Sequence, residues 1–395
     1  MLSPPYDVLT REDVERLYAL DSHNAVRVEF GLESPGDVRG SDDRYTRAKS
    51  TLSEWLADGV LQEEARSVMF LSEHRFPSPD GSRELSRRGI FGGLAPLPWN
   101  APGGILPHER TFSGPKADRL ELLRATCVGT SPVFGFWDKG SRLEQHLTNG
   151  MTGKPFIETR LQGEFGPETH RLWRVENQSD LACIRDAIRQ SALFIADGHH
   201  RYETSIGFIN DQRGGDGSVL AYLCAADDPG VCILATHRIV TAPPLHGASL
   251  YDIVARVGQG WHLERLRDAD NSISGLEEIL AQPGIHAVGV ITGDGVGLLT
   301  REAAADTSPA QSLSVWALHE EILPAVAGDA VDIRFTRSAV EAGNAVKSGH
   351  ADAAFILPPC STADIMAVAE AGEVMPHKST YFYPKVPSGL VMARV

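Results

Sequence analysis

The residues of this chain best suited to chemistry lie in one short run, Asp197-Gly198-His199-His200-Arg201, with Tyr202 and Glu203 directly behind it. An apolar stretch from Ala192 to Ala196 ends at this run, and Tyr202, Ile206 and Ile209 then recur at i, i+4 and i+7. That pattern predicts strand, tight turn and helix. A helix start presents unpaired backbone N–H groups and the positive end of the helix dipole, which together make an anion site. Gly198 permits a positive φ and close backbone approach, His199 and His200 can donate hydrogen bonds, and Arg201 offers a planar fork matched to phosphate oxygens. Asp197, at the carboxyl end of a strand where open α/β sheets place their ligands, can accept a proton from a substrate hydroxyl or hold a metal. The plainer alternative is an ordinary helix start, with Asp197 as N-cap and His199 and Glu203 as an i, i+4 surface pair.

Further groups carry related chemistry. Lys116, Asp118 and Arg119 follow Gly114-Pro115 at the mouth of a helix expected over 120–125. Lys and Arg there can neutralise charge on a transferred phosphoryl group; a solvated helix start reads equally well. His108 and Glu109 either touch substrate or cap a loop. Lys378, Ser379, Thr380 and Lys385 interleave with Tyr381, Phe382 and Tyr383, either as a terminal strand or as a basic pocket in an acidic protein. Asp7, after Pro4-Pro5-Tyr6, can act from a rigid loop as base or ammonium clamp, or can be a plain turn residue. His237-Arg238 ends a strand and is expected to pair with Asp or Glu.

The elements that position these groups read as a mixed α/β chain. Helices are expected over 10–20 with Thr10 as cap, 45–58, 179–190, from 249, 314–323 and 339–348. Strands are expected over 25–30, 68–76, 89–97, 131–137, 172–176, 219–225, 231–240 and 353–357, with hairpins at Pro79-Asp-Gly-Ser82 and Gly293-Asp-Gly295. At 395 residues two or three domains are expected: an N-terminal α/β region 1–130, a core 131–245 carrying the phosphate-binding turn, and a C-terminal α/β region 246–395.

Composition narrows the partners. The net charge of −15 repels polyphosphate backbones and anionic membrane surfaces; no nucleic acid and no membrane are expected, and the partner is a small molecule. The five cysteines are scattered with no C-x-x-C pair, which predicts buried, reduced thiols and a cytoplasmic protein. There is no P-loop, no Gly-x-Ser-x-Gly, no dinucleotide fingerprint and no His-Glu-x-x-His in the sequence, so those enzyme classes are excluded.

Ile195-Ala-Asp-Gly-His-His-Arg201 resembles the phosphate-binding box of the ParB/sulfiredoxin-like fold. Sulfiredoxins carry a cysteine ahead of the His-Arg of that box; His199 stands there here, which argues against thiol repair. The Asp-Gly-His-His-Arg form is similar to that of free serine kinases on this fold. Over nearly the whole chain, Pro4-Pro-Tyr-Asp-Val8, His108-Glu109, Thr111, Lys116, Asp118-Arg119, Ser131-Pro132, the 197–203 run, Thr236-His-Arg238 and the 375–391 run resemble domain-of-unknown-function family 1015. Members of that family usually carry residues ahead of Pro-Pro-Tyr-Asp, so a first strand is expected to be missing here. The resemblance implies a ParB/sulfiredoxin-like core and a small-molecule kinase that moves phosphate from ATP or ADP to the hydroxyl of a free amino acid such as serine, with Mg²⁺. In that scheme Gly198, His199, His200, Arg201 and Lys378 bind the nucleotide. Asp197 is the base, Lys116 and Arg119 stabilise developing charge, Asp7, His108 and Glu109 bind substrate, and Asp118 or Glu203 holds Mg²⁺. A homodimer is compatible with this reading. The alternatives are a non-catalytic nucleotide or phosphometabolite-binding regulator and, disfavoured by charge, a ParB-like DNA partner.

Overall fold

The structure, a computed structural model, describes residues 2–99, 101–111, 113–138, 143–213, 217–266, 272–282, 286–301, 306–328 and 331–395. The chain forms two compact units. The first comprises Met1–Pro107, Thr111–Cys232 and Pro384–Val395, and the second His108–Arg110 and Ile233–Tyr383. Both mix helices with sheet, as the periodicities predict. Residue 130 falls inside the first unit, and residue 245 inside the second.

The first unit is built on an eight-stranded sheet in the order Ile105–Leu106, Leu193–Asp197, Val133–Trp137, Val219–Ala225, Glu84–Leu94, Met69–Pro77, Pro167–Val175, Ile157–Gln162. Its outer half is an antiparallel meander whose strands alternate buried and open positions, the signature of a sheet wetted on one face. The strands nearest the candidate site are different. Val133–Trp137 and Val219–Ala225 are buried at every residue and pair in parallel, so continuous apolar runs replace alternation there. Helix His199–Arg213 covers them through Tyr202, Ile206 and Ile209, which join Trp137, Ile195 and Leu223 in one core.

Three expected elements differ from those observed. The alternating Ala25-Val-Arg-Val-Glu-Phe30, read as a strand, is the short helix Val26–Glu29. The Asn24 side chain accepts from the Val26 N–H at 3.0 Å and starts the turn, and Val26, Val28 and Glu29 are all buried. Two-sided burial removes the polar face that alternation implies. Similarly, Gly114 to Arg119 do not precede a helix but belong to it, since the helix runs Ser113–Thr126; proline is tolerated in a first turn because its missing N–H has no helical partner there. The predicted strand 231–240 is two strands, Cys232–Leu234 and His237–Thr241.

The second unit holds a six-stranded antiparallel sheet in the order Trp261–Arg265, Gly295–Arg301, Ala287–Thr292, Ala353–Ile356, His237–Thr241, Asp332–Thr336. Helices Ser272–Leu280 and Ala339–Lys347 bury Leu276, Ala342 and Val346 against it. The expected helix 314–323 changes pitch midway, with a π-helical turn over Leu318–Ile322. The cysteines are free, as expected, but Cys183 is exposed rather than buried. No helix among the described residues is long and apolar enough to cross a membrane.

Close backbone packing in the first sheet depends on Gly89, because a Cβ there would lie 2.5 Å from the Leu223 carbonyl and 2.6 Å from the Tyr222 ring. Gly89→Ala is expected to lower unfolding free energy by about 1–3 kcal/mol, read from the urea midpoint; an unchanged midpoint would show that the sheet yields without cost.

Candidate functional site

Strand Leu193–Asp197 ends at an irregularity: its register with Val133–Trp137 shifts between Phe134 and Gly135, opposite Asp197. Such bulges re-aim side chains at the ends of strands. Gly198 follows with φ +93°, and its carbonyl accepts from the Tyr202 N–H at 2.9 Å as helix His199–Arg213 begins. Strand, turn and helix thus form where the apolar run and the glycine predict them.

Both Asp197 carboxylate oxygens are held by cations. Oδ2 accepts from Arg201 Nη2 at 2.6 Å and Oδ1 from Lys385 Nζ at 2.6 Å. Arg201 also donates to the Pro132 carbonyl and is buried. Burial pushes the Asp197 carboxyl up, but Lys385 and Arg201 outweigh it and hold the group well below the usual carboxylate range. So depressed a carboxylate is a weak base. Lys385 comes from the far end of the chain. It is brought in by a two-stranded bridge in which the Ser3 N–H donates to the Ser388 carbonyl at 3.2 Å and the Ser388 N–H to the Ser3 carbonyl at 2.8 Å.

The same bridge delivers Asp7, in the turn Tyr6–Val8. Asp7 reaches solvent, yet desolvation is the largest influence on its carboxyl, followed by the negative charge of Asp197. The two facts agree for a carboxylate that opens to solvent on one side and has dense protein on the others, and the like charge of Asp197 acts in the same upward sense. Two carboxylates are therefore driven apart, Asp7 upward and Asp197 downward, as in sites where one group must exchange a proton and the other must stay charged.

Lys116 and Glu203 form a second pair at 3.1 Å, and Glu203 also accepts from Thr111. Burial raises the Glu203 carboxyl, but Thr111 and Lys116 more than offset this and lower it. His200 is pushed down by burial and by the Lys116 charge, with Asp7 and Glu203 opposing. His199 is buried with its ring 6.3 Å from Trp99.

Asp118 and Arg119 are tied differently from the sequence expectation. Arg119 Nε donates to Asp118 at 2.8 Å and its Nη1 to buried Glu29 at 3.2 Å. Glu29 also accepts from Thr130 and Ser131, while Asp118 also accepts from Arg44 and Tyr45. With its oxygens so engaged, Asp118 has little left for Mg²⁺. Arg119 stacks over the Tyr6 ring at 4.0 Å and so braces the turn that carries Asp7. Tyr6 itself is pushed up to about 12, chiefly by burial, with Arg119 and Arg201 opposing.

His108, Glu109 and Lys378 belong to the second unit. His108 is buried, with Nε2 3.2 Å from Thr380 Oγ1, and its carbonyl accepts from the Met375 N–H at 2.8 Å. Glu109 is half-buried. Lys378 is exposed, has φ +55°, and holds its Nζ 4.7 Å from the Phe335 ring. Arg238, expected to pair with a carboxylate, instead donates to the carbonyls of Thr236, His377 and Lys378 and to His319 Nε2. Burial lowers its guanidinium to about 10. The sequence offers Lys385 only as half of a basic pocket with Lys378, and it does not single out Tyr6 or Glu29. The proline-flanked Lys385 was the signal at hand.

A family model described as "Protein of unknown function (DUF1015)" matches residues 1–318. The chain belongs to that family. No curated protein matches it. Among solved structures, it is similar to a conserved hypothetical protein from Pyrococcus furiosus, at 14% identity over 74% of this chain and 91% of that one, with TM-score 0.36. A free serine kinase in complex with AMP matches at 13% identity over 70% and 83%, TM-score 0.37. SbnI with a C-terminal truncation, from Staphylococcus aureus, matches at 12% identity over 73% and 84%, TM-score 0.36.

Two tests follow from the site. Asp197→Asn removes the charge that holds two cations, one of them buried, and is expected to cost about 3–5 kcal/mol of stability; a denaturant midpoint equal to wild type would refute that account of the cluster. In the second unit, burial lowers His237 and His319 to about 4, with the Arg238 charge acting in the same direction. A histidine depressed in the folded state binds its proton first when unfolded, so its contribution is complete above about pH 6.5 and is lost as pH falls towards 4. For His237 alone this is about 3 kcal/mol. Urea titrations from pH 7 to 4 should show that slope, and His237→Gln should flatten it.

Proposed function

We propose that the protein is a small-molecule kinase that transfers a phosphoryl group from ATP or ADP to the hydroxyl of a free amino acid such as serine, acting in the cytoplasm through a ParB/sulfiredoxin-like core. The observation that carries this reading is the convergence of Asp7, Asp197, Arg201 and Lys385 at a helix start, with the two carboxylates displaced in opposite directions. The nucleotide phosphates bind the turn through Gly198, His199, His200 and Arg201. Lys116 leaves Glu203 for the phosphate chain, and Glu203, about one-third exposed, would then be free to hold Mg²⁺. The residues fit that ion at Glu203 and not at Asp118; its role is to neutralise charge on the phosphates.

In this scheme Asp197 keeps Arg201 and Lys385 in place rather than acting as base. Asp7 takes the proton as the substrate oxygen bonds to the terminal phosphorus and the bond from that phosphorus to the nucleotide oxygen breaks. Arg119 braces the turn that carries Asp7 through its stack on Tyr6.

The direct assay incubates pure protein with nucleotide, Mg²⁺ and a panel of hydroxy amino acids. Asp7→Asn is expected to lower kcat by about 10²–10⁴-fold while nucleotide still raises Tm. In the wild type, the acid limb of kcat should lie above the ordinary aspartate range. No phosphorylated product from any acceptor, or an unchanged kcat in Asp7→Asn, would sink the proposal. Stabilisation by nucleotide without turnover would favour a regulatory binder, which the full engagement of both Asp197 oxygens also suits.

A further inference from the structure

The meander of the first unit carries a cluster that the kinase reading does not use. His74 lies directly opposite His170 across the antiparallel strands Met69–Pro77 and Pro167–Val175. Glu168 is two residues from His170, so all three side chains leave the same face of the sheet. Their ligand atoms lie within 4.8 Å of one another. His74 Nε2 is 2.8 Å and His170 Nε2 3.9 Å from Glu168 Oε2, and all three side chains are at most 6% exposed. The imidazoles stack at 3.8 Å and 25°.

Ligands at about 2.0–2.2 Å from a tetrahedral ion are separated from each other by about 3.3–3.5 Å, and the observed nitrogen-to-oxygen distances bracket that value. His170 Nε2 is a second, independent pointer, being buried and without a hydrogen bond. A polar atom enclosed in this way calls for a missing partner. Gly163 leaves room for the carboxylate, since a Cβ there would lie 1.8 Å from Glu168 Oε1.

We propose that His74, Glu168 and His170 bind a divalent transition cation of the zinc class. Two imidazoles select against Mg²⁺ and Ca²⁺, which prefer oxygen ligands. Arg87 sets the strength. Its Nη2 lies 3.4 Å from His74 Nδ1 and 2.9 Å from the Pro384 carbonyl. A metal on Nε2 moves the His74 proton to Nδ1 and turns that contact into donor against donor, so Arg87 must tilt away. Its positive charge further weakens binding relative to a closed structural zinc site.

The full chain, stripped with a chelator and titrated with Co²⁺ alone, is expected to bind one equivalent with the visible absorption of four-coordinate cobalt, displaced by Zn²⁺. His170→Ala and Glu168→Gln should each weaken binding at least tenfold. Absence of stoichiometric cobalt and zinc uptake by the folded wild-type chain, measured by absorption and by equilibrium dialysis, overturns the site whatever the variants do. Uptake at undiminished affinity in a folded His170→Ala variant overturns it as well.

Discussion

The first unit's site depends on one buried electrostatic arrangement, the Asp197 carboxylate gripped on one oxygen by Arg201 and on the other by Lys385. Charges taken out of water need partners, because desolvation would otherwise dominate. Here one partner, Arg201, comes from the first turn of the helix that follows Asp197, and the other, Lys385, from the distant segment beginning at Pro384. Asp7 adds a second carboxylate beside them. The cluster is close to neutral in sum, so an incoming anion gains little from simple attraction and must instead exchange partners with groups already paired.

That exchange has a graded set of participants. Arg201 is buried and holds backbone as well as Asp197, so it is a fixture. Lys116 and Glu203 are each about one-third exposed and meet by a side-chain contact at 3.1 Å, an interaction worth little in water. Such a pair opens at small cost. The fixed cation thus lies in the first turn of helix His199–Arg213 and the exchangeable one in the first turn of helix Ser113–Thr126, the first defining the shape of the turn and the second adapting to what binds.

How much of this the sequence disclosed follows from the range of the interactions. Strand, glycine and helix at 193–213 are local events, and their residues announce them. The 25–30 segment was misread because Val-Arg-Val-Glu alternates like a strand, and nothing local says that Glu29 is buried beneath Arg119, Thr130 and Ser131. Asp118 and Arg119 looked free for phosphate and metal because Arg44 and Tyr45 lie more than 70 positions away. Of the two lysines in the 378–385 run, composition could not tell which one reaches Asp197; the Ser3–Ser388 bridge makes it Lys385. Each missed feature is a tertiary pairing between residues that are individually unremarkable.

The bridge between Ser3 and Ser388 has a consequence in time. Asp7 is synthesised before Asp197 and Lys385 well after it, so Asp197 waits without one of its two cations while the intervening chain is made. At roughly 5–20 residues per second, that interval is tens of seconds. Over that period the strand and helix at 193–213 can form, but the charge cluster cannot close, and a nascent chain has the shape of the turn without its chemistry. Closure of the site therefore reports that the chain has been read through Ser388.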